Sequence, residues 1–225
     1  MTFAFEQGNF HNHSLDFQAD GDLLQRLESL LQHLGETYEA ITQSLILALE
    51  LHDGESRAHA FRVTELALAL AKELHVPEDQ LTYIRYGALL HDVGKIGVPG
   101  HILKKKEALN QEDWEMIKKH PAFAYELLSS IEFLKPALEI PYSHHERWDG
   151  AGYPHGLKGE QIPLSARIFS VVDVWDALRS KRPYRVQSWT DEQIIAYIHE
   201  NSGHQFDPHI ANTFTDLITK IQLPS

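Results

Sequence analysis

Histidines and carboxylates recur along this chain in an order that a single fold has to bring together: Glu55 and His59, the doublet His91-Asp92, His120, the doublet His144-His145, and Asp173. One such pair is easily coincidence. A series spread over most of 225 residues is what a multinuclear metal site looks like in one dimension, and it demands a fold organised around that site. The chain contains no cysteine, which excludes disulfides, thiolate-bound zinc and iron–sulfur clusters. Any metal therefore sits on nitrogen and oxygen.

A chain of 225 residues with 43% hydrophobic content can bury one sizeable core, so one domain with a short appendage is expected. Residues 1–21 lack a basic start followed by an apolar stretch. The longest apolar-rich run, 45–51, falls far below the roughly 18 residues of a membrane span. These features predict a cytoplasmic protein with no membrane span. The formal net charge of −12 argues against duplex nucleic acid as a partner, because Lys104, Lys105 and Lys106 are the one basic cluster and read as a solvated loop. A small anionic substrate stays compatible, since fields are screened over about 8 Å at physiological salt and local site charge outweighs the global sum.

The periodicity is helical. Leu24, Leu27, Leu31, Leu34, Tyr38, Ile41, Leu45 and Ala48 alternate steps of three and four, which is a heptad seam over residues 21–51. That seam fits either a helix packed on its own domain or a dimerising coiled coil. Gly35 interrupts it at a cost of about 1 kcal/mol relative to Ala, a point where the helix could bend or break. Val63, Leu66, Ala67, Leu70 and Leu74 mark a second helix, closed by Pro77, and a third is expected over 78–93. Asn110 with Asp113, Thr190 with Gln193, and Asp207-Pro208 each resemble a helix start. The glycine-rich run 150–156 reads as a loop. No segment alternates with period two long enough to be a strand, so the expected fold is all-α: an N-terminal segment over 1–50 and a helical domain over 51–225.

The candidate ligands can be placed on these helices. Glu55 and His59, four residues apart, project from one helix face. His91 and Asp92 would lie about 100° apart around a helix, turning Asp92 inward beside His91 to bridge two ions. Lys95 then overhangs the same face. Asp173 and Asp176 are stacked in an apolar segment, where a carboxylate is costly unless paired or metal-bound. Asp176 could equally serve a local structural role. The remaining histidines read as ordinary surface or core residues.

Taken together, HDVGKIGVP (91–99), KKH (118–120), HHERWDGAGYP (144–154), IPLSARI (162–168), DVWDAL (173–178), KRPYR (181–185) and FDP (206–208) closely resemble the HD-GYP subgroup of the HD phosphohydrolase superfamily. The likeness runs over about 50–214. It implies an HD-type helical bundle around a multinuclear metal centre that degrades bacterial cyclic dinucleotides, above all cyclic di-GMP. It also implies His59, His91, Asp92, His120, His144, His145 and Asp173 as metal ligands, with Asp92 and Lys95 catalytic. Lys95, Gly152, Tyr153, Pro154, Asp176, Arg182 and Arg185 would contact substrate. Family members often carry lysine where Arg185 stands, which exchanges a point charge for a planar fork. Members with a carboxylate at the position of Glu55 look trinuclear, so Glu55 favours three divalent ions over two, with iron or manganese as the leading candidates.

Three divalent ions against Glu55, Asp92 and Asp173 leave a net +3 that attracts a phosphodiester despite the acidic surface. Paired ions about 3.5–4 Å apart can lower a water's pKa to about 7, giving a bridging hydroxide as nucleophile. The expected reaction is hydrolysis of cyclic di-GMP through pGpG to GMP. Cyclic GMP-AMP is the rival substrate. A catalytically silent receptor whose GYP loop binds a diguanylate cyclase is the rival class of function, and the intact ligand set argues against it.

Overall fold

The protein is described by a computed structural model covering residues 14–54, 57–180 and 188–222. Every regular element among these residues is helical, and the one β-type pairing is an isolated bridge between Ser202 and Phe206. Two compact units are distinguished, residues 1–41 and 42–225. Helix α1 (Ser14–Asp53) passes through Gly35 unbroken, because nothing crowds that position and one glycine cannot outweigh the good helix formers around it. Along its first unit Leu23, Leu24, Leu27, Leu30, Leu31 and Leu34 are all exposed.

In the second unit, α2 (Arg57–Glu73) buries Val63, Ala67, Leu70 and Ala71 at helical spacing. It stops where His75 takes a left-handed φ of 56°, with the Val76 N–H donating to Ala71 O and the His75 N–H to Lys72 O, both at 3.0 Å. Pro77 then starts α3 (Glu78–Leu89), whose first turn carries Glu78 and Asp79 against the positive end of the helix dipole. The helix ends four residues earlier than its apolar pattern predicts. His91 and Asp92 consequently lie in a turn, followed by a 3₁₀ segment over Val93–Gly97. The reason is Gly94, where a Cβ would fall 2.5 Å from Ala124 N and against the His120 backbone.

Short helices α4 (Gly100–Leu103) and α5 (Gln111–Ile117) lead to α6 (His120–Leu128) and α7 (Glu139–Ser143). The expected cap at Asn110 is a full capping box with Asp113, and Lys105 pairs with the same carboxylate. Helix α8 (Leu164–Arg179) is buried nearly all round, through Ala166, Ile168, Phe169, Val171, Val172 and Trp175. It is the central rod of the core. Against it pack α2, α7, α9 (Asp191–Glu200) and α10 (Pro208–Gln222), with α3 packed on α2. Thr190 caps α9 as expected, and Asp207 accepts from the His209 and Ile210 N–H groups at the start of α10 while pairing with Arg167 at 2.7 Å.

Candidate metal centre

The helices deliver their polar residues to one place. His59 comes from α2, His91 and Asp92 from the turn after α3, His120 from the first position of α6, His144 and His145 from the end of α7, and Asp173 from α8. They form two groups, His59–His91–Asp173 and Asp92–His120–His144–His145, with the possible ligand atoms of each group within 4.8 Å of one another. Asp92 reaches both. Its Oδ2 lies 3.1 Å from His91 Nε2, and its Oδ1 lies 3.4 Å from His120 Nε2 and 3.8 Å from His144 Nε2. Lys95 Nζ donates to Asp92 Oδ2 at 2.6 Å.

The imidazoles are aimed. His91, His120 and His144 use Nδ1 to donate to the carbonyls of Ala88, Ile117 and Ile140 at 2.8, 2.8 and 3.0 Å, which leaves each Nε2 facing inward. Those three Nε2 atoms are buried without a hydrogen-bond partner. A buried polar atom left unsatisfied costs about 1–3 kcal/mol, so three converging on one carboxylate make little sense unless something else satisfies them. Divalent ions fit that requirement, since imidazole nitrogen with carboxylate oxygen suits several first-row metals.

The electrostatics point the same way. Burial alone would lower His91, yet the carboxylates of Asp92 and then Asp173 push it up to about 9. Burial, joined by neighbouring imidazoles, pushes His145 down to about 3 and lowers His120 and His144. Burial would raise the Asp92 carboxyl, but Lys95 and His91 hold it well below the usual carboxylate range. At neutral pH the centre therefore offers ionised Asp92 with neutral imidazoles at His120, His144 and His145, and a proton on His91 that a metal has to displace. Two pH effects follow for the metal-stripped chain. His91 stabilises the fold below about pH 6.5, and that contribution is lost as pH rises through about 9. His145 acts oppositely, because its folded form resists protonation, so stability falls as pH drops from about 6.5 towards about 3. Thermal melts of chelated protein should thus fall off on both sides of neutrality, and manganese addition at pH 7 should release protons measurable in weak buffer.

Tyr153 forms one wall. Its ring stacks on His145 with centroids 4.7 Å apart and planes at 27°, while Lys118 Nζ sits 5.5 Å from its centroid. One face of the ring is thus taken by His145. Burial and the Asp92 charge raise the phenol well above its ordinary value, so it stays a donor. Gly152 is required here because a Cβ would lie 2.5 Å from Glu146 Cα and 2.6 Å from His145 O. Pro154 follows through a cis peptide and is exposed. Glu146, which its place in the sequence gave no reason to single out, is buried and accepts from the His155 and Leu157 N–H groups at 2.7 and 3.0 Å, pinning the loop.

Asp176 lies behind His59, with both oxygens engaged by His59, Arg62 and Ser180. A carboxylate in that apolar segment is tolerable because it is paired. Arg62 escaped sequence reasoning, its partner being far along the chain. Glu55, Arg182 and Arg185 lie outside the described residues.

A helical scaffold brings five histidines and two aspartates together, three of them imidazoles whose buried Nε2 atoms lack a hydrogen-bond partner, in two groups that could each hold a metal ion. The family model described as HD domain matches residues 42–210. The cyclic di-GMP phosphodiesterase response regulator RpfG of Xanthomonas campestris is 40% identical over 188 residues, which covers 83% of this chain and 50% of that protein. The 3′3′-cGAMP-specific phosphodiesterase 2 of Vibrio cholerae is 38% identical over 184 residues, covering 81% and 35%. Among solved structures, the cyclic GMP-AMP specific phosphodiesterase V-cGAP3 of V. cholerae superposes with a TM-score of 0.61 at 22% identity, over 80% of this chain and 48% of that one. The chain belongs to the HD domain family, and it carries both the His91-Asp92 doublet and the Gly152-Tyr153-Pro154 run of the HD-GYP subgroup it resembles. It spans half or less of the length of these two curated relatives. No helix among the described residues is long and apolar enough to cross a membrane.

Proposed function

We propose that this chain is the hydrolytic part of a cytoplasmic cyclic-dinucleotide phosphodiesterase that converts cyclic di-GMP to pGpG and GMP. The observation that carries the reading is the convergence of three buried, partnerless Nε2 atoms on the two oxygens of Asp92. Divalent ions bound there supply Lewis-acid polarisation of the phosphodiester and acidify water. His59, His91 and Asp173 would hold one ion and His120, His144 and His145 another, with Asp92 between them. Glu55 favours a third. Iron or manganese is the expected metal.

The chain's own residues do the rest. Lys95, held on Asp92 Oδ2, lies within reach of a phosphate oxygen bound at the centre and offsets its growing charge. The Tyr153 hydroxyl remains protonated and can donate to the same group. Gly152 and Pro154 shape the loop that carries it, and Arg182 and Arg185 are assigned to the second phosphate. Cyclic GMP-AMP is kept as a second substrate because a relative of similar identity is named for it. The exposed leucines of α1 suit a homodimer through residues 21–50, and the GYP loop suits a diguanylate cyclase partner.

The test is direct. Chain purified anaerobically and loaded with iron or manganese should release pGpG and then GMP from cyclic di-GMP, faster than it consumes cyclic GMP-AMP. Elemental analysis should find close to three ions, falling towards two in Glu55→Ala. Metal-replete chain that leaves cyclic di-GMP intact overturns the reading, and two ions in both proteins overturns the third site.

A further inference from the structure

His59 is held differently from the other buried ligands. His91, His120 and His144 turn Nδ1 to a backbone carbonyl three or four residues back in their own segment. His59 instead turns Nδ1 to a carboxylate on another helix, Asp176 Oδ2, at 2.7 Å. That carboxylate is buried, and Arg62 grips it in a fork, Nε to Oδ1 at 2.8 Å and Nη2 to Oδ2 at 2.9 Å. Ser180 Oγ adds a contact to Oδ2 at 3.3 Å. Helix register makes this possible. His59 and Arg62 sit one turn apart on α2, and Asp173 and Asp176 sit one turn apart on α8, so the two packed helices face each other rung to rung. The upper rung brings His59 Nε2 to 3.5 Å from Asp173 Oδ1, and the lower rung fixes the same ring from behind.

A carboxylate accepting Nδ1–H fixes an imidazole's tautomer and orientation and makes its other nitrogen a stronger metal donor than a carbonyl does. The two halves of the centre are therefore unequal. We propose that Asp176, clamped by Arg62, is a positioning residue that aims His59 Nε2 and sets the ion affinity of the His59–His91–Asp173 half independently of the Asp92–His120–His144–His145 half. The inference rests on the metal-dependent reading above. Arg62 is half exposed, with its side chain 51% accessible, so it ties the affinity of a buried site to the state of the surface at α2.

Calorimetric titration of the chelator-stripped full chain with manganese(II) tests it, comparing wild type with Asp176→Asn, which preserves volume while removing the charge. One class of manganese site should weaken by about 10–100-fold, the usual loss for an outer-sphere partner, while every other class stays within about twofold. Anomalous scattering from manganese-soaked crystals should locate the weakened ion beside His59. Arg62→Gln should weaken the same class by less. Side-chain nitrogen NMR of the stripped wild type should show His59 protonated at Nδ1, a readout independent of metal. Unchanged affinities in Asp176→Asn, or equal weakening of all classes, would overturn the proposal and leave the pair as a stitch between α2 and α8. Wild type that binds no manganese would instead overturn the metal reading itself.

Discussion

Asp92→Asn is expected to abolish turnover, by at least about 1,000-fold, while leaving helical circular dichroism unchanged. The size follows from what the carboxylate touches. Its two oxygens lie against Lys95, His91, His120 and His144, so it contributes to both halves of the centre and holds the cationic side chain assigned to the substrate. Asparagine keeps the shape but loses the charge and replaces one acceptor with an amide that points hydrogens at imidazole nitrogens or at an ammonium. Ion content should fall by at least one per chain. Loss of one well-aimed electrostatic stabiliser alone costs about 100–1,000-fold in rate, and here a shared ligand goes with it. The helical core does not depend on this carboxylate, because it is built from α2, α3, α8, α9 and α10 through apolar contacts. A mutant within tenfold of wild-type turnover would place catalysis somewhere other than this centre.

What could be read from the sequence divides by the range of the interaction. Asn110, Thr190 and Asp207 were legible as caps because a cap is settled within three residues. The candidate ligands were legible as a set because their side-chain chemistry is shared and few other roles use it in that order. The geometry at His91-Asp92 was not. Tyr86 and Leu90 set a helical rhythm that Val93 continues, and only the approach of α6 to Gly94 reveals why the helix stops at Leu89. Asp176 shows the same limit from the other side. Its spacing from Asp173 placed it on the right helix face, yet its function depends on Arg62, a residue on another helix that no local pattern links to it. Glu146 is hidden likewise, a buried carboxylate whose acceptors are used by backbone N–H groups nine and eleven residues on. The candidate ligands are thus written in the chain, while the layer that orients them is written in packing.

Gly94 is where those two levels meet, and Gly94→Ala should lower stability by about 3 kcal/mol, the upper end of the range for overpacking a tight site. The atoms a methyl group would strike belong to backbone, the His120 carbonyl group and Ala124 N at 2.5 Å, so no side-chain rotation can relieve the contact. Either the Val93–Gly97 segment or the start of α6 has to move. Both carry the site, since Asp92 precedes the first and His120 opens the second, with their ligand atoms only 3.4 Å apart. At about 2–4 °C per kcal/mol for a domain of this size, the melting temperature should drop by about 6–12 °C, and metal content should fall along with it. Gly100→Ala is the control in the same segment, because the nearest atom to its added Cβ is His52 Cε1 at 3.7 Å, an ordinary contact. That variant should stay within about 0.5 kcal/mol of wild type and retain its ions. If Gly94→Ala melts and binds metal like Gly100→Ala, the close approach of the turn to α6 is not what ends the helix at Leu89 and sets Asp92 beside His120.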